Sequence, residues 1–172
     1  MRDVSRDTSL AASKVFGRRS ADQIGLLVED LEASVRMWST ATGLTDWRIF
    51  TYSRDNIAAP TYRGAAGDFK FRLAIAGSSP QIELIQPMEG PSIYHDWIIE
   101  HGFGLHHLGF FVPSIEVALK EFEDSGLEVI QSGRGYGLDL DGGFAYVETP
   151  GTFDVVLEAI EVPKRRRPSE TL

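Results

Sequence analysis

The chain has 172 residues, no cysteine and a net charge of −8, with 42% apolar and 24% charged residues. This composition is typical of one globular domain or two small fused modules, and it excludes disulfides and thiolate ligands. The acidic balance argues against a nucleic-acid partner, and no apolar run reaches the length that spans a membrane. The polar N-terminus lacks the apolar core of a secretory signal, so we expect a cytoplasmic enzyme or binding protein.

The first half predicts a β-α-β-β-β module over residues 21–88, after an N-terminal arm of residues 1–20 without clear periodicity. Asp30 can cap a helix that ends near Gly43. Residues 55–67 carry a proline and two glycines and predict an exposed loop. Short apolar or alternating runs predict strands over 24–28, 47–52, 69–75 and 81–86.

The second half predicts the same order of elements over residues 105–162. A connector helix is predicted over residues 89–104, with Ser92 at its start, and Ser114 can cap the helix of the second module. Strands are predicted over 105–112, 127–131, 144–148 and 153–161.

Two further segments carry motif-like sequences. The glycine-rich residues 133–143 lack the G-x-G-x-x-G spacing of a dinucleotide site and most ligands of a calcium loop, so they predict a hairpin loop. The C-terminal tail, residues 163–172, contains the basic cluster Lys164 to Arg167. Such a cluster can bind phosphate, but here it is more typical of a solvated tail.

The two halves repeat one pattern at a constant separation of 84 residues. The matching pairs are Gln23 with His107, Gly25 with Gly109, Val28 with Val112, Glu32 with Glu116 and Trp38 with Phe122. A repeat at fixed offset indicates a duplicated structural unit, whose equivalent positions can converge on one site. The pair that opens the repeat consists of two possible metal ligands.

Two glutamates interrupt apolar strands near the end of each module. Glu83 lies in QIELIQ and Glu158 lies in VVLEAI. A carboxylate in such a run is costly unless it is paired, hydrogen-bonded or bound to metal, although a half-covered sheet would let it face solvent. Each module thus offers one candidate ligand on its first strand and one on its last. His106 should point to the opposite face from His107, which favours a structural or supporting role over a ligand role.

These segments resemble the vicinal-oxygen-chelate superfamily, which includes glyoxalase I, methylmalonyl-CoA epimerase, extradiol dioxygenases and bleomycin-resistance proteins. The resemblance covers roughly residues 21–162 and rests on QIGLLVEDLEASV, QIELIQP, GFGLHHLGFFV and FAYVETPG…VVLEAIE. It implies an α+β fold in which two βαβββ modules form a cupped, partly open barrel around one divalent metal, and it implies that such proteins are often homodimers. The metal ligands it implies are Gln23, Glu83, His107 and Glu158.

The resemblance also implies a chemistry and a cofactor. The order Gln, Glu, His, Glu is similar to zinc-dependent glyoxalase I, whereas epimerases usually begin with His and dioxygenases use two histidines. A divalent Zn, Ni, Co or Mn ion would stabilise an enediolate or enolate of a small-molecule substrate. Glu158 is the implied catalytic base, and Glu83 is its acid–base partner. The positions that hold glutathione in glyoxalase I correspond to Leu27, Phe103 and Pro87, so glutathione is not expected.

A different class of function stays open beside this one. A metal-free protein of the bleomycin-resistance kind would sequester a planar ligand in the cup, and the sequence offers aromatic residues for it: Trp47, Phe71, Phe110, Phe111 and Tyr146. Retention of all four candidate ligands favours the enzyme. Further residues that can line the cup or its rim are Tyr62, Arg63, Arg72, Tyr136 and Tyr146. Tyr94 and Trp97 share one face of the connector helix and are expected to dock it.

Overall fold

The computed structural model describes residues 15–17, 19–78, 80–149 and 154–171. Three helices lie wholly within this part: α1 Leu31–Thr42, α2 Ile93–His101 and α3 Ile115–Asp124. The strands of the first half are β1 Gln23–Leu27, β2 Arg48–Tyr52, β3 Ala58–Tyr62, β4 Ala65–Ala66, β5 Lys70–Ala76 and β6 Gln81–Glu89. Those that follow are β7 Gly104–Phe111, β8 Val129–Tyr136, β9 Gly142–Val147, β10 Val156–Glu161 and β11 Glu170–Thr171. Most of the predicted arm, and the predicted start of the last strand at Phe153, lie outside the described residues.

The helices begin and end where the sequence predicts. The Asp30 side chain accepts a hydrogen bond of 2.8 Å from the Ala33 N–H, and Gly43 closes α1 in the left-handed conformation with φ of 78°. Ser92 and Ser114 occupy the same capping position at α2 and α3. A side-chain oxygen at this position satisfies one of the free N–H groups of the first turn, which explains the choice of residue.

The strands form one mixed sheet whose order follows the duplication. Within the described residues the order is β11-β2-β5-β6-β1-β7-β10-β9-β8-β3-β4. Each module contributes four consecutive strands, and the first strands of the modules, β1 and β7, pair antiparallel at the centre. The last strand of each module pairs parallel with its own first strand, as β6 with β1 and β10 with β7. The predicted α+β fold of two βαβββ modules curled into a partly open barrel is confirmed.

The prediction of a bare loop over residues 55–67 is wrong. Strands β3 and β4 lie there, joined by a tight turn in which Arg63 and Gly64 both have positive φ. The glycine marks this hairpin turn, and Pro60 lies in a short strand that does not need its N–H. The hairpin belongs to the first module by sequence, but β3 pairs with β8 of the second module.

The glycine-rich residues 133–143 form the predicted hairpin, but the strands reach further into it than expected. Strand β8 continues to Tyr136 and β9 begins at Gly142, so that only residues 137–141 form the loop. Close packing requires glycine within these strands, because a Cβ atom on Gly143 would lie 2.3 Å from Ile115 Cγ2. Small residues there let α3 approach the sheet.

The two faces of the sheet carry separate apolar clusters. Helix α1 packs with Trp47, and helix α3 packs with Phe110 and with Phe16 from the N-terminal segment, all on the outside of the sheet. The inside of the cup holds a third cluster rich in aromatic rings, which includes Phe71 and Tyr146. No helix in the described part of the chain is long and apolar enough to cross a membrane.

The C-terminal strap, which we define as residues 163–169, lies across the mouth of the cup. Arg165 forms an ion pair with Asp139, and its carbonyl accepts a hydrogen bond of 3.0 Å from the Leu138 N–H. The Ser169 hydroxyl accepts from the Thr51 N–H at 3.0 Å, and strand β11 then pairs with β2. The basic cluster therefore differs from a solvated tail: Arg165 is exposed but paired, and the next residue, Arg166, is half-buried.

Candidate metal centre

Three of the four predicted ligands meet at one point inside the cup. His107 Nε2 lies 3.2 Å from Glu83 Oε2 and 3.1 Å from Glu158 Oε2. One ligand atom from each of the three residues lies within 4.8 Å of the other two, and all three residues are buried. Adjacent strands explain the convergence, because β6 and β10 are separated only by the central pair of β1 and β7.

Gln23, the fourth predicted residue, lines the same cavity as Glu83 and Glu158. Its side-chain Nε2 donates a hydrogen bond of 3.0 Å to Gln81 Oε1, which fixes the orientation of the amide. Its Oε1 is buried and has no hydrogen-bond partner among the described residues. An amide held by its nitrogen leaves its oxygen available to a cation.

Two glycines make room for the side chains that open the repeat. In the antiparallel pairing of β1 with β7, Gln23 lies opposite Gly109 and His107 lies opposite Gly25. A Cβ atom on Gly25 would be only 1.9 Å from His107 Cε1, and one on Gly109 would be 3.0 Å from Gln23 Cβ. Each half therefore supplies a glycine over which the candidate ligand of the other half lies.

His106 does not point away from His107 as predicted, because the strand is irregular beside it, although its contact with His107 agrees with the predicted supporting role. The register of β7 against β1 shifts between the Gly25–His107 and Leu26–Leu105 pairs, which leaves His106 as the extra residue of a bulge. Alternation of faces fails at such a point, and both histidines are fully buried. Their Nδ1 atoms lie 2.9 Å apart, so one ring nitrogen donates to the other. His106 contacts His107 and does not join the carboxylates.

The charges of the site explain which histidine carries the proton. Burial by itself would lower the pKa of His107, but Glu158 and Glu83 outweigh it and raise that pKa to about 9. Burial, together with the charge of His107, holds the pKa of His106 well below its ordinary value. His107 Nδ1–H is thus the donor and neutral His106 is the acceptor. Burial raises the pKa of the Glu158 carboxyl, against the opposing effect of His107.

The residues present fit a divalent metal ion. Gln23 Oε1 is buried without a hydrogen bond in the described part of the chain, and the buried carboxylates of Glu83 and Glu158 share the single imidazole of His107. One imidazolium offsets the charge of only one of the two carboxylates, so the group can accept a further cation. One imidazole and several oxygens suit Zn²⁺, Ni²⁺, Co²⁺ or Mn²⁺. The hydrogen bond from His107 Nδ1 to His106 would set the tautomer that leaves Nε2 free to bind metal.

Aromatic side chains and one arginine form the rest of the cavity wall. The cavity has a volume of about 30 Å³. The hydroxyl groups of Tyr94 and Tyr146 lie 3.1 Å apart above the site. Besides the candidate ligands, the lining includes Tyr52, Phe71, Leu73, Tyr94, Tyr136, Phe144, Tyr146, Ile160 and Arg166.

The other residues singled out from the sequence divide into two groups. Phe71, Tyr136 and Tyr146 line the cavity, and Tyr94 both lines it and docks the connector helix. Outside the lining, Tyr62 and Arg63 bind Asp96 on α2, and Arg72 pairs with Glu32 and Glu170. Trp47 and Phe110 pack under helices on the other face, so they cannot hold a planar ligand in the cup. Tyr52, Phe144 and Arg166 were not predicted, because their places depend on long-range packing.

The fold is a two-module cup, and the buried Glu83, His107 and Glu158 between its repeated halves form a group that could hold a metal ion. The sequence profile described as Glyoxalase/Bleomycin resistance protein/Dioxygenase superfamily matches residues 22–146. The chain belongs to this superfamily. No protein with a curated description matches the sequence.

Solved structures of similar fold include several epimerases. A variant of methylmalonyl-CoA epimerase from Streptomyces coelicolor, in complex with 2-nitronate-propionyl-CoA, is 18% identical with a TM-score of 0.59, over 87% of this chain and 98% of that one. The methylmalonyl-CoA epimerase from Mycobacterium tuberculosis is 19% identical with a TM-score of 0.59, over 84% and 89% of the two chains. A hypothetical protein from Bacillus halodurans is 18% identical with a TM-score of 0.56, over 86% and 97%. At these identities the likeness concerns the fold.

Proposed function

We propose that this protein is a divalent-metal-dependent enzyme that moves a proton on the carbon next to a carbonyl group of a small molecule. The reaction would be of the epimerase or glyoxalase kind, without glutathione. The observation that carries the proposal is the convergence of the buried Glu83, His107 and Glu158 beside the unpaired amide oxygen of Gln23. Two buried carboxylates that share one imidazole are costly without a further positive charge.

The proposed ligands are Gln23, Glu83, His107 and Glu158. A divalent ion bound by them would act as a Lewis acid, because it stabilises negative charge that develops on a carbonyl oxygen. The candidate ligands are buried and aromatic rings line the cavity, and such surroundings strengthen electrostatic effects.

Glu158 is the proposed base. Its burial raises the pKa of the carboxyl, and a more basic carboxylate accepts a proton from carbon more readily. Glu83 faces the same cavity from β6, on the other side of the central strand pair, so it can return a proton to the opposite side of the substrate carbon. Two carboxylates on opposite sides suit an epimerisation, whereas one carboxylate alone suits a proton shift on one face.

Binding without catalysis is the second candidate, and the aromatic lining of the cavity favours it. Phe71, Phe144 and Tyr146 offer ring faces to a planar ligand, as expected for a sequestering protein. The two proposals differ in their response to a chelator. Ligand binding by the aromatic wall would persist in EDTA, whereas binding through the metal would be lost.

The first experiment measures bound metal in the purified full chain by mass spectrometry, after dialysis against Zn²⁺, Ni²⁺, Co²⁺ or Mn²⁺. We expect about one ion per chain in the wild type and a large loss in His107→Ala and Glu158→Ala. Glu83→Gln should lose metal in the same way. Its matched control is Glu89→Gln, since Glu89 is an exposed carboxylate of the same strand. A wild type that takes up no divalent metal under any of these conditions would refute the proposal.

The second experiment seeks the reaction. Metal-loaded protein in D₂O is incubated with 2-oxo acids, 2-hydroxy acids and acyl-CoA thioesters, and deuterium incorporation next to the carbonyl is followed by NMR. The fold shared with epimerases that bind acyl-CoA compounds supports including the thioesters. Glu158→Gln should abolish exchange, and Glu89→Gln should not change it. Location in the cytoplasm and a homodimeric state are further proposals, and light scattering tests the second.

A further inference from the structure

Arg166 is the residue of the C-terminal strap that enters the cup. It lines the cavity of about 30 Å³ that also contains Glu83 and Glu158. Its guanidinium lies 5.4 Å from the ring centres of both Phe50 and Tyr136, which hold the side chain over the mouth by cation–π contact. Neighbouring Arg165 points away and pairs with Asp139.

The guanidinium of Arg166 is not neutralised by a described carboxylate. Among the described residues Arg166 has no ion pair, and its Nε is buried without a hydrogen-bond partner. The sum of charges in the cup also supports this. The two carboxylates of Glu83 and Glu158 would neutralise a divalent ion, and the positive charge of Arg166 would then have no counter-ion. An arginine held by aromatic rings, with its Nε–H unpaired among the described residues, is suited to bind an anion.

Arg166 also separates two spaces. Beyond the inner cavity lies an open pocket of about 270 Å³, and Tyr52, Tyr136 and Arg166 line both. A molecule that reaches the inner cavity from the outer pocket passes this residue, and the rest of the molecule would lie in the outer pocket. The guanidinium is therefore placed to contact a group some atoms away from the metal-binding end.

We propose that Arg166 binds a carboxylate of the substrate at the mouth of the cup, so that the substrate is an acid whose carboxylate stands apart from its metal-binding oxygens. This inference rests on the proposed metal-dependent function. A carboxylate is the small planar anion whose two oxygens match the two parallel donors of a guanidinium. The strap would then act as a specificity element, because it brings Arg166 to the site from the last part of the chain.

The test uses two probes of matched shape, 2-oxoglutarate and 2-oxopentanoate. Both carry a 2-oxo acid group that can bind a metal, and only 2-oxoglutarate has a second, distal carboxylate. Calorimetric titration of the metal-loaded full chain should give at least about tenfold tighter binding of 2-oxoglutarate in the wild type, as expected for a charge-assisted pair. In Arg166→Gln the ratio of the two dissociation constants should fall to about one.

The controls separate a binding role from a structural one. Lys164→Gln removes an exposed basic residue of the strap that lines neither the inner cavity nor the outer pocket, and it should keep the wild-type ratio. Arg166→Lys retains the charge without the planar fork of the guanidinium, and it should keep part of the preference for 2-oxoglutarate. This variant keeps the test decisive if Arg166→Gln folds poorly. A ratio that is the same in the wild type, Arg166→Gln and Arg166→Lys would overturn the inference.

Failure of this inference can be told apart from failure of the proposed function. Normal metal uptake with no role for Arg166 in probe binding refutes the inference alone. If the wild type takes up no metal, the proposed function fails, and the probes are titrated in EDTA instead. Arg166→Gln must then weaken 2-oxoglutarate binding relative to wild type, since Arg166 is not a metal ligand, and an unchanged dissociation constant overturns the inference.

Discussion

Substitution of Gly25 by alanine tests the geometry of the site without touching a ligand. The added Cβ would lie 1.9 Å from His107 Cε1, whereas an ordinary contact begins near 3.4 Å, so the ring must move by about 1.5 Å. The imidazole cannot rotate freely, because its Nε2 contacts Glu83 and Glu158 and its Nδ1 contacts His106. Gly25 does not have positive φ, so backbone strain does not contribute.

We expect Gly25→Ala to lower the free energy of unfolding by about 1–3 kcal/mol, as for other overpacked cores. Metal affinity should fall by more than about 100-fold, because even a change in a residue that orients a ligand costs 10- to 100-fold. Unfolding in guanidinium chloride measures the first quantity, and competition with a coloured chelator for Co²⁺ measures the second.

Gly109→Ala is the natural control, since it occupies the equivalent position of the other repeat. The nearest atom to its Cβ would be Ile160 Cδ1 at 2.7 Å, the end of a flexible side chain, with Gln23 Cβ next at 3.0 Å. Its effect on metal affinity should be roughly tenfold smaller. Wild-type metal affinity in Gly25→Ala would refute the placement of the His107 ring over that glycine.

Three other changes give separate tests. His106→Phe keeps the bulk of a ring but removes the acceptor for His107, and metal affinity should fall by about 10- to 100-fold. The pKa of His107 is about 9 in the folded, metal-free protein against an ordinary 6.5. The stabilisation from its protonated form is complete below pH 6.5 and is lost as the pH rises through 9. The free energy of unfolding should therefore fall over that range, and it should fall less in His107→Gln. Tyr94→Phe or Tyr146→Phe leaves one buried hydroxyl without its partner and should cost about 1–3 kcal/mol, while the double change should cost less than the sum.

Each of these has a result that would count against it. His101→Phe makes the same change at an exposed histidine of α2 and is the control for His106→Phe, and equal metal affinities in the two variants would remove the supporting role of His106. The raised pKa of Glu158 also makes the unfolding free energy fall with rising pH, so the comparison is between the slopes of wild type and His107→Gln and not with a flat line. An unchanged slope would contradict the assigned charge of His107. Additive costs for the two tyrosines would show that their hydroxyls do not interact.

The meeting of Glu83, His107 and Glu158 could be predicted because the sequence presents the same pattern twice. The offset of 84 residues joins Gln23 to His107, and a glutamate in the last strand of each module completes the pattern. Hydrophobic alternation and capping residues were enough to place β1, β7 and the three helices, since these depend on local chemistry. The roles of Gln23, Glu83, His107 and Glu158 stay predictions until metal is measured.

What could not be predicted depends on contacts between distant parts of the chain. The bulge at His106 breaks the alternation of faces through the pairing of β7 with β1, which a single strand does not reveal. Residues 58–66 form strands because β8 offers them an edge, although their composition indicates a loop. Arg166 looks like any arginine of a basic cluster until the strap is placed against Phe50 and Tyr136.

The exchange of edge strands has a consequence for how the molecule unfolds. The hairpin of β3 and β4 extends the sheet of the second module, while β11, which follows that module in sequence, extends the sheet of the first. Neither half can therefore detach without exposing an unpaired edge on the other. Despite its duplicated sequence, the protein should melt in one cooperative transition, and the two halves produced as separate polypeptides should be unstable alone and regain structure only when mixed.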